Sequence, residues 1–190
     1  MGIVSAELQK TLELLSKTAN EAAVPLLIAG LDSPSPVIRE GSLDALLERR
    51  RGEGQAELIR RWDRLSDRWK QRIAQHPRQI ASAVRDAILS RDAKLCANGC
   101  QAVLGIGEFE LIPVLVNTLE DPRSPSKNIV AETLIGMCEL LREEISGSRE
   151  IPRIHQPMRI RDGVLPSLER TVDRYEQHRD RVVIESFLIL

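Results

Sequence analysis

Two cysteines are the first residues whose spacing suggests chemistry. Cys96 and Cys100 lie four positions apart, so a helix would place both sulfur atoms on one face. Such a pair is half of a zinc site, which needs two more ligands, but His76, His155 and His178 are isolated in the sequence. Both cysteines also continue an apolar stripe, where a free thiol behaves as a small hydrophobic group. We therefore expect buried structural thiols, and we predict no metal site and no cofactor.

Patterns typical of catalysis are equally sparse. A nucleophile requires a base within hydrogen-bond reach and a third group that orients the base. Serines and histidines are present, but no strand-turn-helix elbow and no glycine-rich phosphate loop accompanies them. The segment 105–107 has two glycines but is too short for a dinucleotide fingerprint, and it is predicted to end a helix. The sequence favours a non-catalytic protein and assigns no catalytic residue.

The segment 49–72 concentrates positive charge and both tryptophans. It holds nine basic and four acidic residues, a local net charge of +5. Arginines combined with aromatic rings can hold a phosphate backbone and stack on bases, and the tryptophans would share one face of a helix. The candidate nucleic-acid-binding residues are Arg60, Arg61, Trp62, Arg64, Arg68, Trp69 and Arg72. The alternative is that the tryptophans pack between helices while arginines paired with acids at helical spacing face solvent.

The composition excludes a strong global attraction to membrane or nucleic acid. The net charge is −1, and aromatic residues make up only 3% of the chain, so Leu, Ile, Val and Ala must build the core. The first residues do not resemble a signal peptide, and no apolar run reaches the roughly 18 residues of a membrane helix. Three cysteines do not form a disulfide framework. We expect a cytoplasmic protein with no membrane partner.

The elements that carry these residues are predicted to be helices throughout. Apolar stripes at helical spacing lie in segments 22–31, 37–46, 80–88, 95–104, 111–119 and 129–141, and again after residues 163 and 181. Pro36 is expected to open the helix that follows the turn 32–35. Segment 55–75 reads as further helix with a break near Ser66. A helix, a turn and a second helix therefore recur along the chain.

The recurring unit resembles the HEAT repeat. A shift of 53 residues superposes Pro113 on Pro166, and a shift of 58 superposes Gly41 on Gly99. A proline in the first helix, an aspartate near the turn and a valine in the second helix are typical of that family; here they are Pro25, Asp32 and Val37, then Pro113, Asp121 and Val130, then Pro166, Asp173 and Val182. The resemblance implies an all-α fold, a HEAT-like α-solenoid of about four to five antiparallel helix pairs.

The predicted solenoid spans residues 1–190 as a single domain, and residues 146–162 are expected to be an inter-repeat loop. Two prolines there argue against a continuous helix. The last residues, 182–190, are strongly apolar, so we expect the native chain to continue or this end to meet a partner.

HEAT-repeat proteins are mostly scaffolds and adaptors, so the resemblance implies a protein-binding function. Second helices of HEAT pairs usually line the concave side, where this chain would present Glu40, Asp44, Glu132, Glu139 and Glu185. Such acids favour a basic peptide or protein, although acids on a solvated face need no partner. The loop adds three candidate contacts, Arg153, Arg159 and Arg161.

Two rival functions follow from the same resemblance. HEAT-like alkylpurine DNA glycosylases need a basic, aromatic-lined groove, and segment 49–72 is the only candidate for one. A resemblance to the HEAT-like lyases that attach bilins to phycobiliproteins rests on the repeat alone. Nucleic acid therefore remains an alternative partner to protein.

Overall fold

The computed structural model describes residues 6–49, 52–148 and 156–190. All regular elements within these ranges are helical, which confirms the predicted all-α class. The twelve α-helices are α1 Ala6–Lys17, α2 Ala23–Gly30, α3 Pro36–Glu48, α4 Gly52–Arg60, α5 Asp67–Ala74, α6 Pro77–Ile88, α7 Ala93–Ile106, α8 Ile112–Glu120, α9 Lys127–Ser146, α10 Pro157–Asp173, α11 Tyr175–His178 and α12 Arg181–Ile189. Two short 3-10 helices, Trp62–Arg64 and Phe109–Leu111, follow α4 and precede α8.

Local sequence signals explain several helix ends. Pro36 occupies the first turn of α3, where a missing N–H costs nothing. The Asp92 carboxylate accepts hydrogen bonds from the first backbone N–H groups of α7, and Ser66 caps α5 in the same way, which confirms the predicted break there. Gly107 ends α7 in the left-handed conformation that glycine adopts without strain.

The prediction of a loop over residues 146–162 is wrong for residues 157–162, which are helical. Residues 157–162 form the first turns of α10, because Pro157 lies at the start of the helix, where proline is tolerated. Arg159 is exposed on this helix. Arg161 is half-buried, and its Nε donates to the backbone oxygen of Leu190, the residue after α12. Arg153 lies outside the described residues.

The helices contact one another in two successions. In the first, α2, α4, α6, α8 and α10 contact each other in that order. In the second, α1 contacts α3, and α5, α7, α9 and α12 follow one another. Helices of the two successions also pack in pairs, α2 on α3, α6 on α7, α8 on α9 and α10 on α12. One apolar core runs through all of these contacts.

Ion pairs link neighbours of the first succession at the same end. Asp32, just after α2, pairs with Arg61, just after α4, at 2.7 Å. Glu120, the last residue of α8, pairs with Arg174, just after α10, at 2.9 Å. Both pairs lie on the surface, outside the apolar core.

Small residues allow the paired helices to approach closely. A Cβ atom at Gly99 in α7 would lie 2.9 Å from the Cβ of Ala87 and 3.0 Å from a backbone nitrogen in α6. In the first pair, Gly30 of α2 faces Ser42 of α3 in the same manner. A shift of 57 residues relates the two close approaches, because it places Gly30 on Ala87 and Ser42 on Gly99. Gly41, which the shift of 58 superposes on Gly99, instead faces Leu12 of α1. Among the described helices, none has both the length and the apolar character needed to cross a membrane.

Candidate functional site

The acidic and basic surfaces predicted separately meet between α3 and α5. Arg68 Nη2 lies 2.9 Å from Glu40 Oε2, and Arg72 Nη1 lies 3.2 Å from the same oxygen. Arg72 Nη2 also contacts Asp44 Oδ2 at 2.5 Å. Partial burial raises the pKa of Asp44, and Arg72 opposes that rise. Glu40 and Asp44 are thus neutralised within the molecule and do not form a free acidic surface.

The other three predicted acids remain exposed. Glu132 and Glu139 lie on α9, about two turns apart and therefore on one face. Glu185 lies on α12, which packs against α9. None of the three forms an ion pair with any residue in the described ranges. We call Glu132, Glu139 and Glu185 the acidic ridge.

The two tryptophans do not share a face, so that expectation is wrong. The 3-10 helix and the turn before α5 interrupt the helical period between them. Trp62 is only 2% exposed and lies in the core, where a Cβ at Gly105 would be 3.2 Å from its Cζ2 atom. Trp69 is half-buried, and its indole N–H has no acceptor among the described residues. Trp69 is therefore the more accessible of the two rings.

Four of the five candidate arginines line one groove of about 760 Å³, and Arg72 does not. We call it the arginine groove. Its basic side chains are Arg39, Arg60, Arg61, Arg64, Arg68 and Lys94. Trp69 and the buried Leu65 provide apolar wall, and Asp32, Glu40 and Glu57 are its acids. The sequence reasoning missed Arg39 and Lys94, which come from α3 and α7 and have no local pattern that marks them.

Shared carboxylates hold the arginines in place. Glu57 Oε1 accepts from Arg61 Nε at 2.7 Å, and its Oε2 accepts from Arg60 Nη1 at 2.9 Å. Partial burial would raise the pKa of Glu57, but the hydrogen bonds from Arg61 and Arg60 lower it below its ordinary value. The hydrogen bonds that Arg61 donates to Asp32 and Glu57 raise the pKa of Arg61. Glu57 and Arg61 are therefore charged across the neutral pH range.

Arg49 is removed from the basic surface altogether. It is 6% exposed, and its guanidinium donates to the carbonyls of Leu15, Thr18 and Asn20 at 2.7, 2.8 and 3.2 Å. Its carbonyl in turn accepts a hydrogen bond from buried Gln55. Arg49 therefore joins the end of α1 and the following turn to the rest of the fold. Because its acceptors lie about thirty positions away, no sequence pattern marks this role.

A second groove, of about 940 Å³, lies where α5, α7 and α10 come together. Exposed Gln71, Gln75 and Gln101 line it, and none of these amides has a hydrogen-bond partner in the described chain. Glu108 is half-buried at its edge. Burial raises the pKa of Glu108, neighbouring Glu110 adds to the rise, and Arg78 opposes it. The sequence reasoning did not identify this groove.

The cysteines are structural, as expected. Cys96, Cys100 and Cys138 are all buried and free. The Cys96 thiol donates to the carbonyl of Ile88 at 3.3 Å, which ties α7 to the end of α6. Burial raises the pKa of the Cys138 thiol to about 12.

No protein-family model matches this chain, and no curated protein resembles it significantly. The acidic ridge and the arginine groove both present charged groups that can contact a partner, and they carry opposite charges.

Proposed function

We propose that this protein is a HEAT-like α-solenoid that serves as a protein-binding scaffold. The two successions of helix contacts support this arrangement, since each helix pair shares its apolar flank with the next pair. In such an arrangement α3, α5, α7, α9 and α12 form one side. The acidic ridge then lies on that side and is its partner-binding surface.

One observation carries the choice of surface. Arg68 and Arg72 neutralise Glu40 and Asp44, whereas Glu132, Glu139 and Glu185 stay exposed and have no cation partner within the described ranges. Exposed carboxylates on neighbouring helices attract a basic peptide or protein and orient it as it approaches. We therefore limit the predicted acidic contact to α9 and α12.

The test uses charge reversal on the ridge. Glu132→Lys with Glu139→Lys should weaken binding of a fluorescein-labelled lysine-rich peptide in an anisotropy titration. Two reversed contacts of about 0.5–1 kcal/mol each correspond to a roughly fivefold to thirtyfold higher Kd.

The matched control is Asp86→Lys with Glu169→Lys. Both of these acids are exposed on other helices, and the double change alters the net charge equally. If the control weakens binding as much as the ridge variant, or if the ridge variant binds normally, the ridge is not the contact. Circular dichroism should show the same helicity in both variants.

Nucleic acid is the second candidate, because Arg60, Arg61, Arg64, Arg68 and Trp69 line one groove. The burial of Trp62 and the pairing of Arg72 with two acids weigh against it. Titration of duplex and single-stranded DNA at several salt concentrations tests this candidate. Each phosphate contact adds about −0.9 to the slope of log K against log salt for a duplex. A flat dependence rejects it.

A further inference from the structure

We propose that the arginine groove binds an acidic segment of a partner protein, in which Asp or Glu side chains are spaced along the chain. This site is separate from the acidic ridge, which is proposed to bind a basic partner. Three features of the lining residues support this proposal: some arginines have no carboxylate partner in the described chain, hydrogen bonds fix the segment that carries them, and Trp69 adds an apolar contact.

The groove has more positive charge than its own carboxylates can neutralise. Six basic and three acidic side chains line it. Glu57 already accepts from both Arg60 and Arg61, and Glu40 already accepts from Arg68 and Arg72. Glu40 and Glu57 are thus each shared by two guanidinium groups, and Asp32 accepts from Arg61 alone in the described chain. Several N–H donors of the groove are left without a carboxylate acceptor among the described residues.

Two arginines at the groove have no carboxylate partner in the described chain. Arg39 donates only to the backbone carbonyls of Ser33 and Pro34, at 2.7 and 3.0 Å. Arg64 is exposed and forms no ion pair. A guanidinium group donates two parallel hydrogen bonds to a carboxylate, so Arg39 and Arg64 are suited to bind incoming Asp or Glu side chains.

The segment that presents Arg60, Arg61 and Arg64 is held rigidly. Buried Asn98 of α7 donates to the carbonyls of Ile59 and Arg60 at 3.0 and 2.9 Å. The backbone N–H of Arg64 donates to the Arg61 carbonyl at 2.8 Å. Binding to a surface that is already ordered costs less conformational entropy than binding to a mobile one.

Trp69 adds a contact that charge alone does not supply. Its half-buried ring lines the groove, and its indole N–H has no acceptor in the described chain. An indole with one apolar face and one unused donor suits a peptide, because it can pack on a side chain and donate to a main-chain carbonyl.

The distribution of acids favours a protein segment over nucleic acid. Asp32, Glu40 and Glu57 lie among the arginines, and Asp63 and Asp67 are exposed beside them. A nucleic-acid duplex carries one negative charge per about 1.7 Å of its axis and would bring phosphates against these carboxylates. An acidic peptide can place its few carboxylates at the guanidinium groups only.

The experiment measures binding of a fluorescein-labelled peptide of about twelve residues, alternating Glu and Ala, which spans some 40 Å when extended. A peptide with Gln in place of Glu serves as the ligand control. Arg39→Gln with Arg64→Gln removes the two arginines without a carboxylate partner, so no ion pair of the fold is broken. Arg85→Gln with Arg142→Gln, on exposed faces of α6 and α9, changes the net charge equally.

We expect the groove variant to bind the Glu peptide at least tenfold more weakly than the wild type, and the control variant to bind it nearly as well as the wild type. Equal weakening in both variants, or none in the groove variant, would overturn the proposal. Tighter binding of DNA than of the peptide, lost in the groove variant, would assign the groove to nucleic acid instead.

The ridge and the groove can fail independently. Glu132→Lys with Glu139→Lys should not weaken binding of the acidic peptide, because neither residue lines the groove. Loss of acidic-peptide binding in that variant would contradict the assignment to the arginine groove.

Discussion

Arg49→Ala should destabilise the protein and release α1 from the remaining helices. The Arg49 side chain is buried and donates to the carbonyls of Leu15, Thr18 and Asn20. The carbonyls of Leu15 and Thr18 lie at and just after the end of α1, where helical hydrogen bonding no longer satisfies them. The Asn20 carbonyl, in the turn before α2, also accepts from the Ala23 N–H. One side chain from the end of α3 thus fixes the connection between the first two helices.

The size of the effect follows from these three hydrogen bonds. A hydrogen bond to a charged group contributes about 1.5–3 kcal/mol, and the exposed turn allows water to replace part of this. The buried Nε atom of Arg49 has no acceptor among the described residues. Removing this unpaired donor relieves a desolvation cost, which reduces the net loss of stability further. We therefore expect a loss of about 3 kcal/mol in the free energy of unfolding, or a Tm lower by about 6–12 °C.

Arg49→Lys should recover less than half of that loss. Its single ammonium group keeps the charge but cannot reach three carbonyls as the guanidinium does. Thermal melts followed by circular dichroism give the stability, and hydrogen exchange locates the change. Exchange should accelerate in α1 before the other helices are affected.

The control for Arg49 is Arg64→Ala, a change at an exposed arginine with no ion pair in the described chain. It should alter stability by less than about 0.5 kcal/mol. Equal melting temperatures for the two alanine variants would show that the buried guanidinium does not hold α1. A lower Tm with unchanged exchange in α1 would refute the local part of the reasoning.

Three further predictions concern packing, titration and the tryptophans. Gly99→Ala should lower the free energy of unfolding by about 1–3 kcal/mol, because the added Cβ meets the backbone of α6. Gly163→Ala, where the added Cβ meets nothing, should raise it by about 0.5–1 kcal/mol. Chemical unfolding measures both changes. Burial raises the folded-state pKa of Glu108, so ionisation of this side chain destabilises the fold as pH rises through that pKa. Glu108→Gln should therefore raise Tm at pH 7 and have little effect below pH 4.5. A gain in Tm that does not depend on pH would contradict this. In acrylamide quenching, Trp69→Phe should leave a protected emission from Trp62, and Trp62→Phe a more accessible one; equal quenching would contradict their burial.

The class of the fold was predictable because its signals are local. Apolar stripes repeat every three or four residues, Pro36 opens a helix, and Gly107 closes one. The start of α10 was missed because Pro157 was interpreted as a helix breaker, whereas it occupies the first turn. The equivalence of Gly41 and Gly99 was also imperfect, since a repeat alignment cannot tell which neighbouring helix a small residue will face.

The candidate site was harder to predict, because its contacts are distant in sequence. The spacing rules for helix pairs cover neighbours three and four residues apart, and they account for Arg60 and Arg61 with Glu57. They give no information on Arg72, whose partners Glu40 and Asp44 are 32 and 28 residues away. The sequence therefore identified charged residues correctly but could not show which of them neutralise one another.

The ion pairs Asp32–Arg61 and Glu120–Arg174 have a mechanical consequence. Each ties the ends of two successive helices at the surface, while the apolar core between those helices is insensitive to salt. Exposed pairs of this kind contribute at most about 1 kcal/mol each, so the apolar core rather than these pairs holds the helices together. A rise in ionic strength should then weaken these two ion pairs before it affects the apolar core, so hydrogen exchange at the ends of α2, α4, α8 and α10 should accelerate with salt while circular dichroism shows unchanged helicity.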